Sequence, residues 1–120
     1  MISIFTLNLW RYYEFEQRIP NIIAFITEKK PDVILLQEAQ IDQQHSIYSK
    51  AEIMQKSLPD YKFVLQSTIY LKTSQRGILL ETPIQQGIAI LSKHPIIKSF
   101  EYYLPQAPSE EPRSNLCFDI

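Results

Sequence analysis

The segment PDVILLQEAQ, residues 31–40, places a carboxylate at the end of an apolar run. The four residues from Val33 to Leu36 are all apolar, a pattern typical of a strand that is buried on both faces. Glu38 follows this run after a single glutamine. An unpaired charge at the end of a buried strand would be costly. We therefore expect Glu38 to meet a basic side chain, solvent or a metal ion.

The residues before this segment predict a strand and then a helix. Residues 2–9 (ISIFTLNL) predict a strand with both faces buried except at Asn8, and residues 18–30 (RIPNIIAFITEKK) predict an amphipathic helix. Pro20 suits the first turn of that helix, where no backbone N–H is needed. The helix would end in two lysines, at the negative end of its dipole. Its apolar stripe would consist of Ile19, Ile22, Ile23 and Ile26.

Together these elements predict a β-α-β unit. Pro31 ends the helix, and the strand over residues 33–37 follows after Asp32. In such a unit the two strands are parallel, and their carboxyl ends lie at the same edge of the sheet. Asn8 and Glu38 stand at those two ends. We therefore expect their side chains to converge if the strands are neighbours.

The rest of the chain predicts one more helix and several strands. We expect a helix over 47–58, strands over 61–67 and 68–72, and a loop or irregular hairpin over 73–86. A buried strand over 87–92 would lead through a turn at Lys93–His94–Pro95 into a returning strand over 96–104. An extended connector over 105–112 would then precede a last strand from Arg113. That last strand would need pairing partners for its backbone groups. The sequence therefore suggests the first part of a larger fold.

Composition is that of an ordinary globular domain. The 120 residues are 45% hydrophobic and 21% charged, with a formal net charge of -1. No basic block points to nonspecific nucleic-acid or membrane binding. Cys117 is the only cysteine, so neither an intrachain disulfide nor a thiolate zinc site is expected. Without a signal-like N-terminus or an apolar run of about 20 residues, we expect a cytoplasmic protein with no membrane span.

Three segments together resemble the endonuclease/exonuclease/phosphatase superfamily, which has a deoxyribonuclease-like fold. They are TLNLW at 6–10, the stretch 18–40 that ends in LLQEAQ, and GIAILSKHPI at 87–96. Their order and spacing are similar to those of the N-terminal half of that family. The resemblance implies an α/β fold, here the N-terminal part of a four-layer α/β sandwich of two packed mixed β-sheets flanked by helices. Residues 1–120 would then form a single incomplete domain, mainly one sheet and its helices.

The resemblance also implies a metal-dependent phosphoesterase. Glu38 matches the family's metal-binding glutamate, which holds Mg²⁺ or Mn²⁺ beside the scissile phosphate, and Asn8 matches the asparagine that helps to position that glutamate, the metal or its water. These hard cations prefer oxygen ligands and keep several waters, so one or two carboxylates can hold them. The substrate would be a phosphoester: a nucleic acid, a phospholipid or a small molecule.

The family's other catalytic groups have no counterpart in these 120 residues. They are a histidine, an Asp-x-Asn motif and a terminal Asp-His pair. We therefore expect the full-length protein to hydrolyse phosphodiesters or phosphomonoesters and the 120-residue piece to be inactive alone. The alternative is a non-catalytic remnant or interaction module that keeps half of the fold. In either case a missing C-terminal half or self-association would cover the exposed sheet.

Each candidate residue also has a structural interpretation. Glu38 could pair with Lys, Arg or a backbone N–H, and Asn8 could be a turn-forming residue. Trp10, Tyr12 and Tyr13 could stack on substrate rings, but closing the core is the interpretation we favour. For His45, His94 and Arg113 we favour surface or structural roles over catalysis. Arg76 and Gly77 could belong either to a substrate loop or to an ordinary turn.

Overall fold

The structure is a computed structural model that describes residues 1–10, 13–39, 49–73, 79–105 and 114–120. Within these ranges the chain forms, in order, β1 (Ile4–Asn8), α1 (Phe15–Lys29), β2 (Val33–Gln37), α2 (Lys50–Lys56), β3 (Phe63–Thr73), β4 (Leu79–Ser92), β5 (Lys98–Tyr103) and β6 (Ser114–Asp119). The sequence-based interpretations of several residues lie outside the described ranges, namely those of Tyr12, His45, Arg76, Gly77 and Arg113, and so does most of the expected connector.

A four-stranded mixed sheet in the order β1-β2-β4-β3 carries the candidate site. β1 and β2 are parallel, with Asn8 opposite Gln37, as the β-α-β pattern predicts. β4 lies antiparallel to both β2 and β3. β5 and β6 form a separate antiparallel sheet of two strands. The segment after the Lys93 turn is therefore a strand as expected, but its partner is β6.

The apolar stripe of α1 fixes this helix against the sheet. Ile26 is fully buried and the other stripe residues pack against the core. The helix ends where Lys30 adopts a left-handed backbone (φ 49°) and donates its N–H to Ile26 O at 2.8 Å. Its start differs from the prediction, because α1 begins at Phe15 and Pro20 lies in its second turn. Burial of the Phe15 side chain extends the helix on the N-terminal side of the proline.

The segment predicted as a loop or irregular hairpin is largely a strand. Residues 79–86 belong to β4, and the β3–β4 register shifts between Leu71 and Thr73. Pro83 falls between the pairs Leu71–Ile84 and Thr73–Leu79, within the irregular stretch. Proline cannot donate to a ladder, so such an irregularity is where a strand accommodates it. The hairpin alternative therefore describes this region better than the loop.

The helices cover one face of the sheet, and the core lies between them. Its buried apolar residues include Leu9, Phe15, Ile26, Ile34, Leu36, Met54 and Leu91. The prediction that both faces of the first strand are buried is wrong, because Ile2 is 52% and Ile4 is 63% exposed. These side chains lie on the face that the two helices do not cover. β6 approaches β3 and β4, which brings the small sheet next to the large one.

Candidate active site at the strand tips

Asn8 and Glu38 meet at the carboxyl ends of β1 and β2. Asn8 Nδ2 donates a hydrogen bond to Glu38 Oε1 at 3.2 Å. Backbone bonds on both sides hold this edge in place: Leu9 N donates to Gln37 O, and Ala39 N donates to Gly87 O, each at 2.9 Å. The convergence expected from the sequence is therefore present, and the sheet register fixes it.

Glu38 has a left-handed backbone conformation, with φ 52°. This region costs a non-glycine residue about 1–2 kcal/mol, so the surrounding contacts must hold it. The next residue, Ala39, is fully buried and hydrogen-bonded to β4. The positive φ ends β2 abruptly and places the carboxylate beside Asn8. A strained residue of this kind at a strand end is common at functional sites.

Asn8 uses both ends of its amide. Its Oδ1 accepts the Trp10 backbone N–H at 2.7 Å, while its Nδ2 donates to the carboxylate of Glu38. If the amide were flipped, its NH₂ group would face the Trp10 N–H and its oxygen would face the Glu38 carboxylate, and neither contact could be a hydrogen bond. The hydrogen-bond partners therefore determine the orientation of the amide. Asn8 is thereby suited to orient Glu38. Its carbonyl oxygen keeps a second lone pair.

Lys50 is a residue that the sequence analysis did not single out. It is fully buried, its Nζ lies 3.5 Å from the Glu38 main-chain oxygen, and it lies 5.1 Å from the centre of the Phe15 ring. It follows Ser49, which caps α2 in a capping box with Glu52. The S-x-x-E pattern of that box is readable in SKAE. Lys50 therefore places a buried amino group behind the turn at Glu38.

A second polar cluster lies at the opposite end of β2. The main-chain N–H and the hydroxyl of Ser3 both donate to Asp32 Oδ2 at 2.8 Å. These two bonds are the main reason that the pKa of Asp32 falls to about 2, and His94, with its Nε2 3.5 Å from Asp32 Oδ1, makes a smaller contribution to that lowering. Nearby, the Tyr61 hydroxyl donates to Pro31 O at 2.6 Å, and burial raises the pKa of Tyr61 to about 12.

His94 is consequently remote from Glu38. At about 3.3 Å per residue, the length of β2 puts roughly 20 Å between the Asp32 and Glu38 ends. His94 instead closes the turn after β4, where its N–H donates to Ser92 Oγ at 3.0 Å and its carbonyl accepts from the same hydroxyl at 2.8 Å. This geometry agrees with a structural role for His94.

Trp10 and Tyr13, which follow β1, do not close the core. Trp10 is 59% and Tyr13 is 55% exposed, so the favoured sequence interpretation of these two side chains is wrong. Their ring centroids are 4.5 Å apart. Arg18 donates to Leu9 O at 2.7 Å and to Tyr13 O at 2.8 Å, which fastens α1 to this loop.

The metal-ligand content of the site is small. Among the described residues no group of three or more His, Cys, Asp or Glu side chains could hold a metal ion. The same ranges contain no helix with the length and apolarity needed to cross a bilayer.

The sequence and the fold of this chain are similar to those of known proteins. The endonuclease/exonuclease/phosphatase family matches residues 5–119. The structure is similar to the crystal structure of an endonuclease/exonuclease/phosphatase from Beutenbergia cavernae DSM 12333, with a TM-score of 0.78 and 21% identity over 98% of this chain and 33% of that one. It is also similar to an endonuclease/exonuclease/phosphatase family protein from Leptotrichia buccalis C-1013-b, with a TM-score of 0.68 and 19% identity over 98% of this chain and 49% of that one.

No curated protein gives a match to this sequence. The chain spans about a third and about half of the two solved structures, and at these identities the likeness concerns the fold. The fold is the α/β architecture expected from the sequence, with two sheets and two helices among the described residues, and it matches part of each solved structure. Since the family match covers nearly the whole sequence, the chain belongs to the endonuclease/exonuclease/phosphatase family.

Proposed function

We propose that this chain is part of a metal-dependent phosphoesterase that hydrolyses a phosphodiester or phosphomonoester. In this proposal Glu38 binds Mg²⁺ or Mn²⁺, and Asn8 orients the Glu38 carboxylate. The observation that carries the proposal is the 3.2 Å hydrogen bond between the two side chains at adjacent strand tips. Membership of the endonuclease/exonuclease/phosphatase family supports the same chemistry.

The residues at the strand tips fit a hard divalent cation. Glu38 Oε1 accepts from Asn8, while Oε2 has no hydrogen-bond partner within the described ranges. One carboxylate is enough for Mg²⁺ when waters and substrate phosphate oxygens complete its coordination. When bound, such an ion offsets the negative charge that develops on a phosphoryl group and its leaving oxygen.

The protein side chains contribute orientation at this edge. Asn8 holds one oxygen of Glu38, and its own position is fixed by the Trp10 N–H. Lys50 supports the backbone turn from the interior. A general base for the attacking water would have to lie within hydrogen-bond reach of it, and His94 is at the other end of β2. We therefore propose that hydrolysis requires groups beyond these 120 residues.

The proposal is tested by titrating Mn²⁺ into the protein and following the heat of binding. Wild type should bind, and Glu38→Gln should lose measurable binding because an amide oxygen replaces the anionic ligand. Glu28→Gln is a matched control, since it removes an exposed carboxylate of α1 that pairs with Lys29. Equal affinity of wild type and Glu38→Gln would remove Glu38 from the metal site.

A second candidate function is a non-catalytic interaction module. Such a module would keep the part of the fold that the chain shares with the solved structures, of which it spans 33% and 49%. The two functions are separated by a phosphodiesterase assay of the full-length protein with Mg²⁺ or Mn²⁺. Metal-dependent turnover that disappears in Glu38→Gln supports the enzyme, whereas no turnover together with unchanged folding supports the module.

A further inference from the structure

We infer that Trp10 and Tyr13 form a stacking platform for an aromatic base carried by the phosphoester substrate. This inference rests on the proposed function, and it names the substrate class as a nucleobase-containing phosphoester. The two side chains are called the Trp10–Tyr13 platform below.

The Trp10–Tyr13 platform is a solvent-facing aromatic pair. The ring centroids are 4.5 Å apart with an angle of 39° between the planes, so the two rings pack against each other in a tilted arrangement. More than half of each side chain stays exposed. Aromatic residues in the described core, such as Phe15 and Tyr61, are by contrast almost fully buried. The pair therefore offers ring surface to a ligand.

Backbone contacts hold Trp10 and Tyr13, the two residues of the platform, in place. Trp10 has φ 50° and Glu14 has φ 43°, and both are non-glycine residues in the left-handed region. Tyr13 N donates to Trp10 O at 3.3 Å, and Arg18 donates to Leu9 O and Tyr13 O. The positive φ of Glu14 is that of the N-cap of α1, whereas the positive φ of Trp10 belongs to an exposed aromatic residue. Backbone strain at such an exposed residue is often found at binding sites.

Hydrogen bonds connect the platform to the candidate metal ligand. The Trp10 N–H binds Asn8 Oδ1 at 2.7 Å, and the same amide binds Glu38 Oε1 at 3.2 Å. The Trp10 backbone and the Glu38 carboxylate thus lie at one edge of the sheet. A phosphate placed at Glu38 would leave the group attached to it near the platform.

The chemistry around the rings favours a nucleobase. The Arg18 guanidinium carbon lies 6.0 Å from the centre of the Trp10 ring. Bases stack on aromatic rings and on guanidinium planes, and a nearby positive charge suits the phosphate of the same ligand. A lipid surface would call for a larger apolar face with many basic residues, whereas the chain has a net charge of -1.

The experiment compares two ligands that differ only in the base, 5′-AMP and ribose 5-phosphate. Trp10 is the single tryptophan of the 120 residues, and the difference in fluorescence between wild type and Trp10→Phe isolates its signal in the full-length protein. In the full-length protein we expect 5′-AMP to quench Trp10 and to bind about tenfold more tightly than ribose 5-phosphate. Calorimetry gives both affinities independently of the fluorescence.

Variants assign the preference to the platform. Trp10→Leu and Tyr13→Leu should each reduce the preference for 5′-AMP several-fold, while Trp10→Phe should retain most of it because a ring remains. Phe100→Leu is the matched control, since Phe100 belongs to a second exposed aromatic pair with Tyr102, on β5. Circular dichroism of each variant verifies that it is folded.

Three results would overturn the inference: equal affinity for the two ligands, no binding of either, or an unchanged preference in Trp10→Leu. Quenching by phosphatidylcholine vesicles but not by 5′-AMP would also overturn it and would assign the rings to a lipid surface. The Mn²⁺ titration of Glu38→Gln separates this inference from the proposed function. Mn²⁺ binding through Glu38 without base preference removes only the platform, and base preference without Mn²⁺ binding removes only the metal site.

Discussion

The Asn8 side chain hydrogen-bonds to two separate segments of the chain. Its amide oxygen accepts the Trp10 N–H, and its NH₂ group donates to the Glu38 carboxylate. The side chain is therefore a bridge between the loop after β1 and the turn after β2. Its exposure to solvent sets it apart from the buried residues that hold the two strands together. These two hydrogen bonds fix the Glu38 carboxylate relative to the loop after β1.

Replacing Asn8 by Ala should weaken Mn²⁺ binding by about tenfold, the low end of the effect of removing a group that orients a metal ligand. The reason is that Glu38 loses the donor that fixes one of its oxygens. Isothermal titration calorimetry measures the change. Asn21→Ala, at an exposed position of α1, is the control and should bind Mn²⁺ like wild type. An Asn8→Ala protein with wild-type affinity would show that Glu38 is oriented by other contacts.

Replacing Lys50 by Ala should lower the free energy of unfolding by about 2–4 kcal/mol, because the change empties a fully buried site and removes a donor near the Glu38 carbonyl. Urea denaturation measures this change. Lys56→Ala, at the exposed end of the same helix, should have a much smaller effect. Lys50→Met fills the volume without the charge, so a stability close to that of wild type would mean that packing dominates. A Lys50→Ala midpoint equal to wild type would contradict the burial of this side chain.

Replacing Ser49 by Ala should destabilise the protein by about 1 kcal/mol, the usual loss for an N-cap. The Ser49 hydroxyl accepts from Glu52 N at 3.1 Å, and Glu52 Oε2 accepts from Ser49 N at 2.7 Å. Ser57→Ala at the other end of α2 is the matched control, because Ser57 is exposed and bonds there through its backbone N–H. If both variants unfold at the same urea concentration, the capping box contributes nothing.

The central β-α-β unit was predictable because its signals are local. The apolar run from Val33, the stop at Pro31 and the isoleucine spacing of α1 each act within a few residues. Parallel pairing then follows from the short connections, and it brings Asn8 and Glu38 together. The part of the candidate site that depends on strand order was therefore accessible from the sequence.

The remaining features depend on contacts between distant parts of the chain. Pro20 lies inside α1 because Phe15 is buried, and β4 continues through Pro83 because β3 pairs with it. Lys50 sits in a sequence that predicts an amphipathic helix, where a lysine is expected to face water. The exposure of Trp10 depends on which surfaces the helices cover. None of these four structural features can be predicted from the residue types of the neighbouring sequence alone.

Acid should destabilise the protein through Asp32. Its pKa is lowered to about 2 in the folded chain, from 3.8 as the ordinary value, because Ser3 donates two hydrogen bonds to the carboxylate. A carboxyl group with a lower pKa when folded stabilises the fold fully above its unfolded pKa. This contribution should be present above about pH 4 and should disappear as the pH falls toward 2. Thermal unfolding followed at pH 2 to 6 measures it.

Asp32→Asn identifies the source of this pH dependence. The variant cannot ionise at this position, so its unfolding temperature should fall less steeply between pH 4 and pH 2 than that of wild type, and it should be the less stable protein at pH 6. Asp60→Asn, which neutralises an exposed carboxylate on the loop after α2, should keep the wild-type pH profile. Ser3→Ala should give an intermediate profile, because the main-chain N–H still donates to Asp32 when the hydroxyl is absent. Parallel profiles for wild type and Asp32→Asn would mean that Asp32 has no part in the acid response.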